Sequence, residues 1–161
     1  MSEHAPEDRL IAIELDAASI GKAEENVEHE RRVAIADLLE SNRFRPEDGP
    51  GGPYRLRLAI EEQRLVFDVS AEDGAPVRLF VFSLGPLRRI LKDYFLICES
   101  YYEAVRDASL SHIEAVDMGR RGVHNEGSSL LKERLEGKID VDFDTARRLF
   151  TLICALHRRS A

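Results

Sequence analysis

The chain has 161 residues, 43% of them hydrophobic and 33% charged, with a net charge of −7. That length can bury a core as one domain, 1–161, without disulfide or metal staples, and the negative balance argues against general binding to nucleic acid or to a membrane surface. The first residues lack a basic segment followed by an apolar run, and no stretch is long and apolar enough to cross a bilayer, so a cytoplasmic protein is expected.

In chain order, residues 1–8 are polar and are expected to fray. Residues 9–15 read as a strand with Ile11, Ile13 and Leu15 on one face. A helical pattern follows from about 24 to 42, with Val27, Ala34, Ile35, Leu38 and Leu39 in one stripe. Acidic residues crowd its first turn, and Arg31 and Arg32 further along suit the helix dipole. Three prolines and three glycines in 46–53 predict a mobile loop.

Three strands then form an antiparallel meander. Residues 55–61 alternate, with Leu56, Leu58 and Ile60 inward. Residues 64–70 place Leu65, Phe67 and Val69 on one side. Between them Glu62 and Gln63 make an atypical two-residue turn, which leaves the register open. The strand 77–84 is apolar on both faces and is expected to be covered on both.

Gly85-Pro86 starts a helix, with proline at a tolerated position. Its pattern runs to about Met118 with a break near 109–111, and it is wide enough to need a second packing partner, another helix or a second subunit. Gly119 is a candidate C-cap. A short helix over 130–137 and a final helix to about His157, with Phe143, Ala146, Leu149, Phe150, Ile153 and Cys154 inward, complete the chain. Cys98 and Cys154 fall in apolar helical segments and read as free thiols. The fold class is therefore α+β: strand, helix, three-strand antiparallel meander, then three helices packed on one face of the sheet.

Between the last long helices, residues 119–129 gather three glycines, two arginines and a histidine. As a polar joint before a helix start, this stretch could bind an anion. Backbone N–H groups would point at the ligand, Arg120 and Arg121 would supply planar forks, and Ser128 and Ser129 hydroxyls. Asn125 and Ser128 would hold the helix start, and His124 could act as a general acid or base. The same residues also suffice for a plain connector, with caps and Arg–Asp117 pairs.

The stretch matches neither the Walker loop nor the dinucleotide fingerprint. The five histidines have no zinc spacing, so no metal or cofactor is expected. Ser129-Leu130-Leu131-Lys132 matches a serine-x-x-lysine pattern without its companion motifs. Glu99, Glu103, Arg106 and Asp107 read as a solvated helix face with internal Glu103–Arg106 pairing rather than an acid/base pair. The arginine pairs 88–89, 120–121, 147–148 and 158–159 could converge into a basic face, but few exposed aromatics accompany them and nucleic acid is not favoured.

Several runs resemble one family: 117–122 (Asp-Met-Gly-Arg-Arg-Gly), 124–127 (His-Asn-Glu-Gly), 131–138 (Leu-Lys-Glu-Arg-Leu-Glu-Gly-Lys), and 145–153 (Thr-Ala-Arg-Arg-Leu-Phe-Thr-Leu-Ile). The strand at 9–11 and the helix at 30–39 fit too, so the likeness to uncharacterised protein family 0262 covers most of the chain. It implies a small bacterial protein of about this size and brings no activity, substrate or cofactor.

Three functional expectations follow. The first is a non-enzymatic binding or regulatory module with a site at 119–129 for an anionic small molecule or an acidic protein partner. The second is an enzyme acting on a phosphorylated or carboxylated metabolite, with His124 as acid/base. The third is a homodimer formed through the helix 86–118.

Overall fold

The computed structural model describes residues 5–158. Strand β1 (Leu10–Leu15) leads through a four-residue helix α1 (Ala17–Ile20) into α2 (Glu25–Glu40). Asp16 caps α1 by accepting from the Ser19 N–H at 3.3 Å. Asn42, just past α2, accepts from the Leu10 N–H at 2.8 Å and donates to the carbonyls of Leu10 and Leu38. That single amide ties the end of α2 to the start of β1.

Strands β3 (Tyr54–Glu61), β4 (Arg64–Ala71) and β5 (Pro76–Ser83) form the expected meander, and β1 adds to β3 in parallel, giving the order β1-β3-β4-β5. The register at the first hairpin is continuous, with Ile60 opposite Leu65 and Glu61 opposite Arg64. Glu62 and Gln63 achieve this by both adopting positive φ, 49° and 66°, the backbone a two-residue hairpin turn needs. A two-residue ladder pairs β2 (Arg45–Pro46) with β6 (Ile139–Asp140). Pro46, at the head of the loop expected to be mobile, is thus buried in a strand pair.

The core face of the sheet carries Leu56, Leu58, Leu65, Phe67, Val69, Phe80 and Phe82, all buried. Strand β5 is covered on that face only: Leu79 and Val81, expected to be covered, stay 59% and 47% exposed. The strand's two-sided hydrophobicity misled because all the packing helices lie against one side.

Helices α3 (Gly85–Asp107), α4 (Leu110–Leu135) and α5 (Phe143–His157) follow. The boundary between α3 and α4 falls at residues 108–109, where Ser109 caps α4 by accepting from the His112 N–H at 3.4 Å. From there α4 runs unbroken for 26 residues. The stretch 119–129 is therefore no joint, Gly119 is no C-cap, and 130–137 holds no separate short helix. Gly137, with φ 81°, is the glycine that ends α4. Asp142 caps α5 through the Thr145 N–H at 2.8 Å, and Phe143, expected inward, is 38% exposed in its first turn.

Why α4 tolerates internal glycines is a packing matter. A Cβ at Gly127 would overlap the Phe150 ring, with Cε1 and Cε2 at 2.6 Å, and a Cβ at Gly119 would meet Ile97 Cδ1 at 2.8 Å. The first glycine lets α5 approach α4, the second lets α3 do so. Part of the apolar breadth of α3 is consumed within the chain: Leu87, Ile90 and Leu91 join the core and Tyr94 packs against it, while Leu96, Tyr102 and Val105 stay exposed.

Arg31 sits in the middle of α2 at 4% exposure. It does not serve the dipole of its own helix. Its guanidinium donates to the carbonyls of Ala155 (3.1 Å) and Leu156 (3.2 Å) in the last turn of α5, to Gly21 (2.9 Å) and to the Glu28 carboxylate (3.0 Å). A buried side chain of α2 thereby caps α5.

Candidate functional site

The continuity of α4 divides the six residues proposed from sequence into two rows. Arg120, His124 and Ser128, spaced four apart, face the packed side, while Arg121, Asn125 and Ser129 are exposed. The backbone N–H groups of 119–129 lie inside a helix, so the stretch has no helix start with which to hold an anion. Both arginines reach Asp117, Arg120 at 2.6 Å and Arg121 at 3.0 Å.

His124 is embedded between aromatic rings, 5.3 Å from Tyr94 and 5.1 Å from Phe150, centre to centre. Its Nε2 lies 2.8 Å from Thr151 Oγ1. The Thr151 hydroxyl is also placed to donate to the Arg147 carbonyl at 3.0 Å, an arrangement that assigns the proton to Nε2 with Thr151 as its acceptor. Ser128, fully buried, turns its hydroxyl to the His124 carbonyl at 2.8 Å, with Nδ1 at 3.5 Å. Burial, then the cationic Arg147 and Arg120, push the His124 pKa down to about 4. The imidazole is neutral at pH 7, its Nε2–H is engaged, and it links α4 to α5.

A concave feature lies beside this row. A groove of about 820 Å³ runs between α2 and α3 with α5 as its floor and Arg120 at the α4 side. Val27, Val33, Ala34, Phe95, Cys154 and Ala155 are apolar residues of its lining, with Tyr94, Cys98 and Thr151 among them as hydrogen-bonding groups. Glu30 and Arg158 close one end as an ion pair with both carboxylate oxygens at 2.5 and 2.6 Å. Asp37 on α2 and Glu99 on α3 add negative charge to the rim.

Inside the groove, burial raises the Tyr94 hydroxyl pKa far above its ordinary value, and it raises both the Cys98 and Cys154 thiols. These groups are neutral at pH 7, and neither thiol is a ready nucleophile. Burial, the largest single effect, works against the charge on Arg120, but the hydrogen bond and the negative charge of Asp117, with smaller contributions from Tyr94 and Cys98, together outweigh it and its pKa is raised. The guanidinium also lies over the Tyr101 ring, 4.1 Å from its centre. Beyond the bond to Asp117, its N–H groups have no acceptor among the described residues.

Sequence reasoning found Arg120 and missed the rest of the groove. The walls come from α2, α3 and α5, which are far apart in the chain, and they mix apolar helix residues with polar ones that carry no motif. No group of three His, Cys, Asp or Glu among the described residues is arranged to hold a metal. No helix among them is long and apolar enough to cross a membrane. Glu103 and Arg106 form no ion pair there.

Comparison with known proteins places the chain. The pattern of the uncharacterised protein family UPF0262 matches residues 7–159. A UPF0262 protein of Maricaulis maris is 74% identical over 155 residues, covering 96% of this chain and 97% of the relative. Others from Mesorhizobium japonicum and Azorhizobium caulinodans are 64% and 62% identical, covering 94% and 98% of this chain and the same shares of theirs. No solved structure matches. With the match running through all the described elements, the chain belongs to the UPF0262 family.

Proposed function

We propose that the protein is a non-enzymatic binding module whose ligand occupies the α2–α3–α5 groove as a single carboxylate on an apolar body. The observation that carries this reading is Arg120. Alone among the six residues singled out in the sequence, it lines the groove, and it keeps N–H donors with no acceptor among the described residues. The volume falls in the range of small-molecule sites, and an apolar lining with a few polar groups suits such a ligand. Tyr94 would add a hydroxyl contact to the head. The acidic rim of Glu30, Asp37 and Glu99 disfavours polyanions, so nucleotides and nucleic acid fit poorly.

The engaged, neutral His124 supports binding rather than acid/base catalysis. With Ser128 it holds the α4–α5 contact, while Arg121, Asn125 and Ser129 face solvent. A cytoplasmic location is part of the same proposal.

The test is thermal stability of the wild type and of Arg120→Met with matched series of aryl and alkyl carboxylates, alcohols and amines. At a hundredfold its dissociation constant, a ligand adds about 2.7 kcal/mol. Carboxylates should raise Tm in the wild type and lose most of that shift in Arg120→Met. A shift from amines alone, or a carboxylate shift that Arg120→Met leaves intact, would overturn the reading.

A further inference from the structure

We infer that α3 packs antiparallel on α3 of a second copy of this chain, about a two-fold axis at Leu96. Arg89, Lys92, Leu96, Glu99 and Glu103 follow a three-four spacing, so they form one straight stripe along the helix. All five are exposed on the side away from the core, and Leu96 is 53% exposed at the centre. None of the four charges has an ion-pair partner among the described residues.

Their order carries the inference. The basic residues occupy the N-terminal half of the stripe and the acidic ones the C-terminal half. In an isolated helix this is the unfavourable arrangement, because the dipole places positive partial charge at the N-terminus and negative at the C-terminus. The first turns of α3 hold no acidic residue; Arg106 alone complements its last turn. An antiparallel partner reverses the sign of this effect, since each basic half then lies along an acidic half and the two dipoles oppose.

The spacing is self-complementary. Arg89 lies seven residues before Leu96 and Glu103 seven after, so a two-fold axis at Leu96 sets Arg89 opposite the partner's Glu103. Lys92 and Glu99 project from the same flank of the stripe, and the axis places Glu99 beside the partner's Lys92. Asp93 projects from the other flank and meets no acidic residue. This is an isologous contact, with the same patch on both copies and Leu96 against its own image. A hollow of about 350 Å³ beside the stripe, with Leu91, Phe95 and His157 in its walls, seats the apolar stem of the partner's Lys92.

The contact uses no groove ligand and does not rest on the Arg120 reading. Its test is the mass of the full chain in solution at low salt by sedimentation equilibrium, expected at twice the 18.2 kDa of one copy at about 100 µM. Glu99→Lys with Glu103→Lys makes the stripe all basic, and Arg89→Glu with Lys92→Glu makes it all acidic. Each double variant should be weakened in self-association by about a hundredfold, and an equimolar mixture of the two should form a one-to-one heterodimer. A monomeric wild type, a dimer that either double variant leaves unchanged, or a mixture that stays monomeric would overturn the inference.

Discussion

Gly127 of α4 lies directly beneath the ring of Phe150 on α5, in a space that a single methyl group would overfill. Gly122, five residues earlier in the same helix, has nothing within 4 Å of where its Cβ would stand. The same substitution should therefore act in opposite directions. Gly122→Ala removes a poor helix former from an open site and should stabilise the protein by about 1 kcal/mol. Gly127→Ala gains the same propensity but forces α5 away, and the overpacking of about 1–3 kcal/mol should dominate. Urea midpoints of the two variants check the signs.

The neutral His124 predicts a pH dependence. Its folded pKa of about 4 lies below the ordinary value of about 6.5, so the unfolded chain binds more protons between those limits. Stability should therefore be fully present above about pH 6.5 and be lost as the pH falls toward 4. His124→Gln should flatten the upper part of that window, between about pH 6.5 and 5, before carboxylates begin to titrate. Thermal melts across the range read the difference, and proton NMR of the imidazole would show directly whether the ring stays neutral at pH 5.

Removing the α2 clamp on α5 should be costly. In Arg31→Met, the carbonyls of Gly21, Ala155 and Leu156 lose a buried donor and Glu28 loses its cation. A loss of about 3 kcal/mol is expected. Arg31→Lys should recover little of it, because one ammonium cannot reproduce the fork that serves three carbonyls and a carboxylate. Chemical denaturation measures both.

The turn between β3 and β4 is an opposite case, since two ordinary residues hold a conformation that glycine adopts without cost. Glu62→Gly should stabilise the hairpin by about 1 kcal/mol, because left-handed backbone costs a non-glycine residue roughly 1–2 kcal/mol and the added freedom of the unfolded chain offsets only part of that, and a urea midpoint checks it. Gln63 is the wrong choice for this test, since its side chain accepts from Arg88 and its carbonyl from the Leu84 N–H.

The comparison of Gly119 and Gly137 shows where the sequence was legible. Both glycines follow long helical patterns, and both look like caps. Gly137 ends α4 with φ 81°, whereas Gly119 lies mid-helix against Ile97. Composition cannot separate a glycine needed for backbone conformation from one needed for helix approach, because the second need belongs to the neighbouring helix. The strands were easier, since alternation reports burial residue by residue; even there, β5 hid which face was covered. Pro86 and the inward row of α5 from Ala146 to Cys154 were readable because helix starts and periodicity are local. Arg31 and the groove were not, because their pieces come from separate elements: Ala155 and Leu156 lie more than a hundred residues beyond Arg31, and the groove draws on α2, α3 and α5. Of the candidate site, Arg120 was visible as an unusual charge, and the surface it serves was not.

An uninterrupted α4 has one more consequence. At 1.5 Å per residue its 26 residues make a rod about 39 Å long. Its buried residues, Gly127, Ser128, Leu131 and Leu135, all lie in the second half. The helix is thus a cantilever, clamped to the body at one end and braced only along α3 toward the other. Arg120 stands just beyond the clamp, so a load applied at the far end near Leu110 bends the helix about a point close to it.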